Sequence, residues 1–567
     1  MSLSANALKM TPQLAAAIGY WRGLGAPDDH IAARLGISVA DLASAGGAPI
    51  PKLPGYPSSV AWPDRTVAAL VRQGLDRDDQ ATFYFVAGEG AVTVAELRQL
   101  VAQSASALAA AGVGPERAVA VDTAPRLESC LVVLAAMLLG APVVRLAGHF
   151  DQAGYCALLR AAPAAVTISA WADWAIGMPE AGLCIGLDDS QAPGFEDWLE
   201  PHGDAPGLPD RVVLPTDIAL IGFTSGSTGT PKRIATSHEA VFRASEAMQA
   251  LFNFDRDDIF CTASNFSALS AFRSIFTMPL LSGGRALLPS PAATSSPLAM
   301  LTECRDFGVT QLTAVPALLR SLTALRDRFG THPMPALKTA FSGSGVLDQP
   351  SCDRFVAAFG VPAIDYYGGR EFATAIYADA GGVATVSSSG GLPVNCLLRV
   401  VDDDGRELPV GETGIVMVHS DSMMHDVPDH GKADWVGWHD SGDLGQYDSG
   451  GRLRIVGRRR DIIKARDGTL IFPAEIESAL LAITNVREAA VYGHMGPDGT
   501  EHIIAAVLLD TSEDGFASRA RDQLLAAVGQ MRTPTRIFTL DEFPRVAAQK
   551  IDRSALRRLL EPGTCGL

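Results

Sequence analysis

The chain has 567 residues, 47% of them hydrophobic and 19% charged, which is long enough for several domains and far from the polar composition of a disordered protein. Sixty-three acidic against 46 basic side chains leave a formal charge of −17, so most of the surface repels nucleic acid and anionic membranes. Any polyanionic ligand must therefore be held locally.

Residues 1–50 read as a separate helical extension. In "DDHIAARLGISVADLASAGG" two short helical patterns meet at Gly36, and the loop-like "GGAPIPKLPGYP" follows. The second pattern offers Asp41 and no base-reading Arg or Lys, so a helical hairpin packed on the main body is favoured over a DNA-binding helix-turn-helix. The N-terminus lacks a basic region followed by an unbroken apolar stretch, and the longest apolar run, "CLVVLAAMLLGAPVV" from Cys130, is shorter than the roughly 18 residues of a membrane span. That run reads as a buried helix, and the protein as cytoplasmic, with no membrane and no nucleic-acid partner. Cys130, Cys156, Cys184, Cys261, Cys304, Cys352, Cys396 and Cys565 include no C-x-x-C pair. This argues against a zinc ribbon or a disulfide framework and for core thiols in a reducing compartment.

From about residue 60 to 400, β-type runs such as "RAVAVDT", "PVVRLA", "AAVTIS", "IALIGF", "QLTAVP" and "LKTAFSG" alternate with Ala- and Leu-rich helical stretches such as "VAELRQLVAQSASALAAAG". The alternation predicts an α/β fold of doubly wound parallel sheets. Between 395 and 457 short strands with turn signals predict a small antiparallel, β-barrel-like unit, and an α+β segment runs to the end.

After the strand "DIALIG", the stretch "FTSGSTGTPK" (223–232) crowds hydroxyls, glycines and one lysine together. Glycines permit tight turns in which successive N–H groups face one concavity, a nest suited to phosphate. It is not a Walker A loop, because Pro231 precedes Lys232 and Arg233 follows it. Further along stand "SNFSALSAFRSIFTMPLLSGG", the Gly-rich turn "FSGSGVL" (341–347), "DYYGGREF" (365–372), "GWHDSGDLGQYDSGGRLRIVGRRRDIIKARDG" (437–468) and "FPRVAAQKIDRSALRRL" (543–559). No Gly-x-Ser-x-Gly elbow of a serine hydrolase accompanies them.

With these motifs in this order over roughly residues 60–560, the chain resembles the adenylate-forming superfamily of acyl- and aryl-CoA synthetases, luciferases and peptide-synthetase adenylation domains. The resemblance implies a large adenylation domain (51–457) and a small, mobile C-terminal domain (458–567) pivoting near Arg460. It implies that Thr224, Ser225, Gly226, Ser227, Thr228, Gly229 and Lys232 close over the β- and γ-phosphates of ATP. Gly343, Ser344 and Gly345 would face one side of adenine, Tyr367 would stack on it, and Asp365 would accept from its amino group. Glu371, with Thr224, would reach Mg²⁺. Asp443 would accept both ribose hydroxyls, since a carboxylate offers two acceptor oxygens to a vicinal diol, and Arg458 would lie near the same sugar or the phosphate. Lys550 would sit between the substrate carboxylate and the α-phosphate, offsetting the repulsion of two anions.

Two positions depart from the family pattern: Arg370 replaces a threonine and Gln549 a glycine. Arg370 could clamp a phosphate or a second carboxylate of the substrate. The pocket stretch has Asn265, Phe266, Ser267 and Ser270, with Phe341 beyond, and no Asp to meet an α-ammonium, so an acyl or aryl acid is expected. The acceptor thiol would belong to CoA, with an enzyme loading a phosphopantetheinyl carrier protein, or a degenerate nucleotide binder, as alternatives.

Overall fold

The computed structural model describes residues 65–147, 151–188, 190–224, 232–330, 332–343, 345, 347–369, 371–378, 391–393, 396–420, 438–448, 452–464, 469–496, 501–546 and 550–560. The expected helical hairpin in 1–50 lies outside them, as does Cys565.

The hairpin β1 (Thr82–Val86) and β2 (Gly90–Thr93) leads into the helix Val94–Ala110. A capping box starts that helix: the Glu96 amide donates to Thr93 Oγ1 at 3.2 Å and the Thr93 amide to Glu96 Oε2 at 2.8 Å. The strands β3 (Ala118–Asp122), β4 (Val143–Leu146), β5 (Ala164–Ser169), β6 (Leu183–Gly186), β7 (Ile218–Thr224) and β8 (Lys232–Ser237) form one sheet in the order β6-β5-β3-β4-β7-β8. All neighbours are parallel except β7 and β8. Every residue of β3, β4 and β5 is buried, which is why their sequences are continuous apolar runs rather than alternating ones. The apolar run at Cys130 forms the helix Leu127–Leu139, ending at Gly140 with φ +63.

A second parallel layer contains β9 (Ile259–Thr262), β10 (Arg285–Leu288), β11 (Gln311–Ala314), β12 (Thr339–Ser342) and β13 (Ala363–Gly369). It continues without a break into antiparallel strands β14 (Ala373–Ala378), β15 (Gly391–Pro393), β16 (Cys396–Val401), β17 (Gly414–Ser420), β18 (His439–Tyr447) and β19 (Leu453–Arg458). The full order is β16-β17-β18-β19-β15-β14-β13-β12-β11-β9-β10-β1-β2. The antiparallel unit is thus joined edge-on to the second layer through the β13–β14 pair.

The C-terminal segment holds β20 (Ile463–Lys464), β21 (Leu470–Ile471), β22 (Val486–Met495), β23 (Glu501–Leu509), β24 (Arg536–Leu540), β25 (Arg545–Val546) and β26 (Lys550–Ile551), with helices Pro473–Leu481, Phe516–Val528 and Arg553–Leu560. It has its own core, including Ile476, Leu480, Val491, Phe516 and Leu524, as an independently packed unit requires. The seven described cysteines are buried, where core thiols are expected. Among the described residues no helix is long and apolar enough to cross a membrane.

Both parallel layers reverse strand order: the chain goes from β3 to β4 and then back across to β5, and from β9 to β10 and then back to β11. Crevices open at the C-terminal ends of strands where such reversals occur. The polar turn at 265–267 follows β9 at one such end.

Candidate active site

The turn between β7 and β8 contains the phosphate motif. The two strands are antiparallel, and their register sets Thr224 opposite Lys232, so the backbone closes the loop with the hydroxyl residue and the lysine at its two feet. Ser225, Gly226, Ser227, Thr228 and Gly229 lie outside the described residues.

At the end of β12, Gly343 is required by its neighbour. A Cβ there would stand 2.2 Å from Cζ of Tyr366, so only glycine lets the aromatic ring lie against this turn. The sequence assigned that glycine to a close approach of adenine; the structure shows that Tyr366 already uses it. Gly345 has room for a Cβ, 3.6 Å from Pro316, and Ser344 lies outside the described residues.

Strand β13 carries the aromatic motif, with Asp365 paired to Ser342 of β12 and fully buried. Tyr367 Oη donates to Asp443 Oδ2 at 2.6 Å. Burial first, and the Asp443 charge second, hold the Tyr367 phenol well above its ordinary pKa, so it remains a donor. Glu371 is half-buried in the turn after β13, beside the buried Phe372, whose ring centroid lies 5.9 Å from that of Tyr367. Arg370 lies outside the described residues.

Asp443 and Arg458 face each other directly across the antiparallel pair β18–β19. Arg458 Nε lies 2.9 Å from Asp443 Oδ1, and its Nη1 donates to the Ser441 carbonyl at 3.2 Å. The preceding turn is built to aim the carboxylate. Gly442 takes φ +72, its amide donates to Asp440 Oδ1 at 2.8 Å, and the Asp443 amide donates to Ser441 Oγ at 3.1 Å. Asp443 itself is 5% exposed.

Two residues expected as possible lining of the acid pocket are buried against other aromatic rings. Phe266 has no exposure, and its ring packs edge-on against Phe276 at 5.3 Å. Phe341 is 1% exposed and meets Phe252 edge-on at 4.8 Å. Large rings flanking a polar turn are drawn into the apolar interior by the area they bury. The polar members stay half-buried. Asn265 Oδ1 accepts from the Ser267 amide at 3.3 Å and its hydroxyl at 2.5 Å, and the Ser270 carbonyl accepts from Ser274 Oγ at 3.2 Å.

Arg460 is exposed in the one-turn helix Arg459–Asp461 that follows β19, 3.7 Å from Asp461, whereas Arg459 is held by Asp440 at 2.8 Å. Lys550 opens β26 opposite Val546. The flanking arginines are tied down: Arg545 to Glu488 at 2.7 Å and Arg553 to Glu477 at 2.6 Å. Gln549 lies outside the described residues.

The fold thus brings together Tyr367, Asp443 and Arg458 from segments the sequence could only juxtapose by order. Sequence reasoning passed over Tyr366, the first of the "YY" pair, and Arg145, whose signal was a charge inside the apolar run "PVVRLA".

Residues 71–426 match the AMP-binding enzyme family, and residues 475–550 match the AMP-binding enzyme C-terminal domain. The chain is 28% identical over 373 residues to an indoleacetate–CoA ligase from Aromatoleum aromaticum, covering 65% of this chain and 72% of that one. It is 27% identical over 530 residues to a 3-[(3aS,4S,7aS)-7a-methyl-1,5-dioxo-octahydro-1H-inden-4-yl]propanoyl:CoA ligase from Mycobacterium tuberculosis, covering 87% and 99%. Among solved structures, an anthranilate CoA ligase in complex with anthranoyl-AMP superposes with a TM-score of 0.79 at 23% identity, covering 87% of this chain and 97% of that one.

Proposed function

Because the chain belongs to the AMP-binding enzyme family, we propose that it activates a carboxylic acid with ATP and passes the acyl group to a thiol, in two steps within one cleft. It is an AMP-forming acid–thiol ligase. The observation that carries the reading is the Asp443 carboxylate held between Tyr367 and Arg458 at the edge of the second layer.

A carboxylate is a poor electrophile because its leaving group would be oxide. In the first step one carboxylate oxygen bonds to the α-phosphorus of ATP while the bond to pyrophosphate breaks, giving an acyl-adenylate. In the second, a thiolate bonds to the acyl carbon and AMP leaves with the electron pair. Asp443 and Arg458 orient the nucleoside and Tyr367 carries the base, while the Thr224–Lys232 turn holds the outer phosphates. Lys550 brings the two anions together, an electrostatic task that matters only for the first step. Glu371, half-buried in the turn after β13, and Thr224 would hold Mg²⁺ through hard oxygen ligands, and that ion would supply charge to offset the pyrophosphate. Rotation of the C-terminal domain about the exposed Arg460 would withdraw Lys550 and admit the thiol.

The substrate is an acyl or aryl acid, and the acceptor is CoA. The polar turn at 264–267 offers Asn265 and Ser267, already bonded to one another, and no carboxylate for an ammonium. The relatives named for indoleacetate and anthranilate support an aryl or acyl acid. The deciding experiment is acid-dependent exchange of pyrophosphate into ATP over a panel of acids, followed by thioester formation with CoA and with purified carrier proteins. Exchange with aryl or acyl acids and a CoA thioester are expected; no exchange with any acid overturns the reading, and thioester on carrier proteins alone overturns the acceptor.

A further inference from the structure

Arg145 is the charged residue of the buried strand β4, and it is 5% exposed. Its Nη1 donates to the Ser267 carbonyl at 2.9 Å and the Phe266 carbonyl at 3.4 Å. The other end of the guanidinium lies over β7, where a Cβ at Gly222 would stand 2.6 Å from Nη2. Phe266 is tied to the same sheet from the other side, its amide donating to the Thr123 carbonyl at 2.9 Å at the end of β3.

The turn at 265–267 leaves β9, in the second layer, yet it is fastened to three strands of the first: β3 through Thr123, β4 through Arg145, and β7 through the contact of Arg145 with Gly222. Strand β7 runs on two residues to Thr224, the near foot of the phosphate turn. A planar guanidinium bonded to two successive carbonyls is directional, and desolvating it is costly, so it fixes geometry more than it adds stability. Arg145 therefore sets the distance between the polar turn at 265–267 and the strand that delivers the phosphate loop.

We propose that Arg145 is a positioning residue for the acid: through the carbonyls of Phe266 and Ser267 it holds the Asn265–Ser267 turn against β7, so that a bound carboxylate meets the nucleotide at reacting distance. The proposal rests on reading Asn265 and Ser267 as part of the acid site. Misplacing a substrate-positioning group by about 1 Å is enough for a large kinetic effect.

The test uses the full chain and pyrophosphate exchange measured against acid and ATP concentration separately, with melting curves for every variant. Arg145→Met should raise the KM for acid about tenfold, the scale of a lost charged hydrogen-bond pair, and move the KM for ATP less than about twofold. Arg145→Lys, which keeps the charge but cannot span both carbonyls and β7, should recover part of the loss. Gly222→Ala should reproduce the acid-side effect with Arg145 intact, by pushing the guanidinium off β7. If the folded variants keep the wild-type KM for acid, or if the two KM values rise together, the proposal is wrong. Should Arg145→Met fail to fold, the lysine and Gly222 variants decide by the same criterion. Absence of exchange in the wild type with every acid is a different failure, which removes the reading of the site and this proposal with it.

Discussion

Tyr367 Oη and Asp443 Oδ2 lie 2.6 Å apart, although 76 residues separate them in the chain. One residue sits on β13 of the parallel layer and the other on β18 of the antiparallel unit, so the hydrogen bond joins the expected adenine platform to the expected ribose carboxylate. Because burial and the Asp443 charge keep the phenol protonated, the pair acts as one oriented unit across the neutral pH range.

Tyr367→Phe keeps the ring and removes the donor. The KM for ATP should rise about tenfold or more, the worth of one hydrogen bond to a charged group, with little change in the KM for acid. Exchange kinetics against each substrate check this; an unchanged ATP dependence would mean that the bond serves only the free protein.

Gly343→Ala places a methyl group 2.2 Å from Tyr366 Cζ, and an aromatic ring cannot yield as a flexible side-chain end can. Overpacking of this kind costs about 1–3 kcal/mol. The expected result is a lower melting temperature together with weakened ATP binding by calorimetry. A Tyr366→Ala second change should restore much of the stability, because it removes the clashing ring.

Lys550→Ala should separate the two half-reactions. Acid-dependent exchange is expected to fall by about two to three orders of magnitude, the scale of losing one electrostatic stabiliser, while transfer from a supplied acyl-adenylate to CoA persists. Equal loss in both assays would remove Lys550 from its assigned role.

His238 predicts how stability depends on pH. The ring has no exposure, neither nitrogen has a hydrogen-bond partner among the described residues, and burial, partly opposed by Asp217, lowers its pKa from 6.5 to about 4. The unfolded chain therefore takes up this proton first as pH falls. Its stabilising contribution is complete above pH 6.5 and is lost progressively towards pH 4, amounting to about 3 kcal/mol over that range. Urea unfolding at several pH values should show this slope, and His238→Phe should flatten it. A slope unchanged by the substitution would assign the acid sensitivity elsewhere.

The strand runs at β3, β4, β5, β7, β11 and β12 were legible in the sequence because strands buried on both faces leave continuous apolar stretches. The motifs around Asp443 and Tyr367 were legible as well, since turns and short strands carry their signals locally. Phe266 and Phe341 were expected as possible pocket lining, and both are buried. Proximity in sequence to polar residues says little about the direction in which a large ring points, and both rings turn into the apolar interior. Gly343 was expected to admit adenine closely, and the neighbour that stands against it here is Tyr366.

Local order and residue type alone determined the α/β class, the Ser/Thr/Gly-rich turn after a buried strand, and the set of carboxylates and cations available for chemistry, because period, glycine placement and charge are properties of short segments. Only the tertiary structure decided that Tyr367 bonds Asp443, that Arg458 stands opposite Asp443, and that Arg145 fastens the 265–267 turn to a different sheet. Those relations depend on strand register and on how two layers meet, and both are settled by the burial of side chains far apart in the chain.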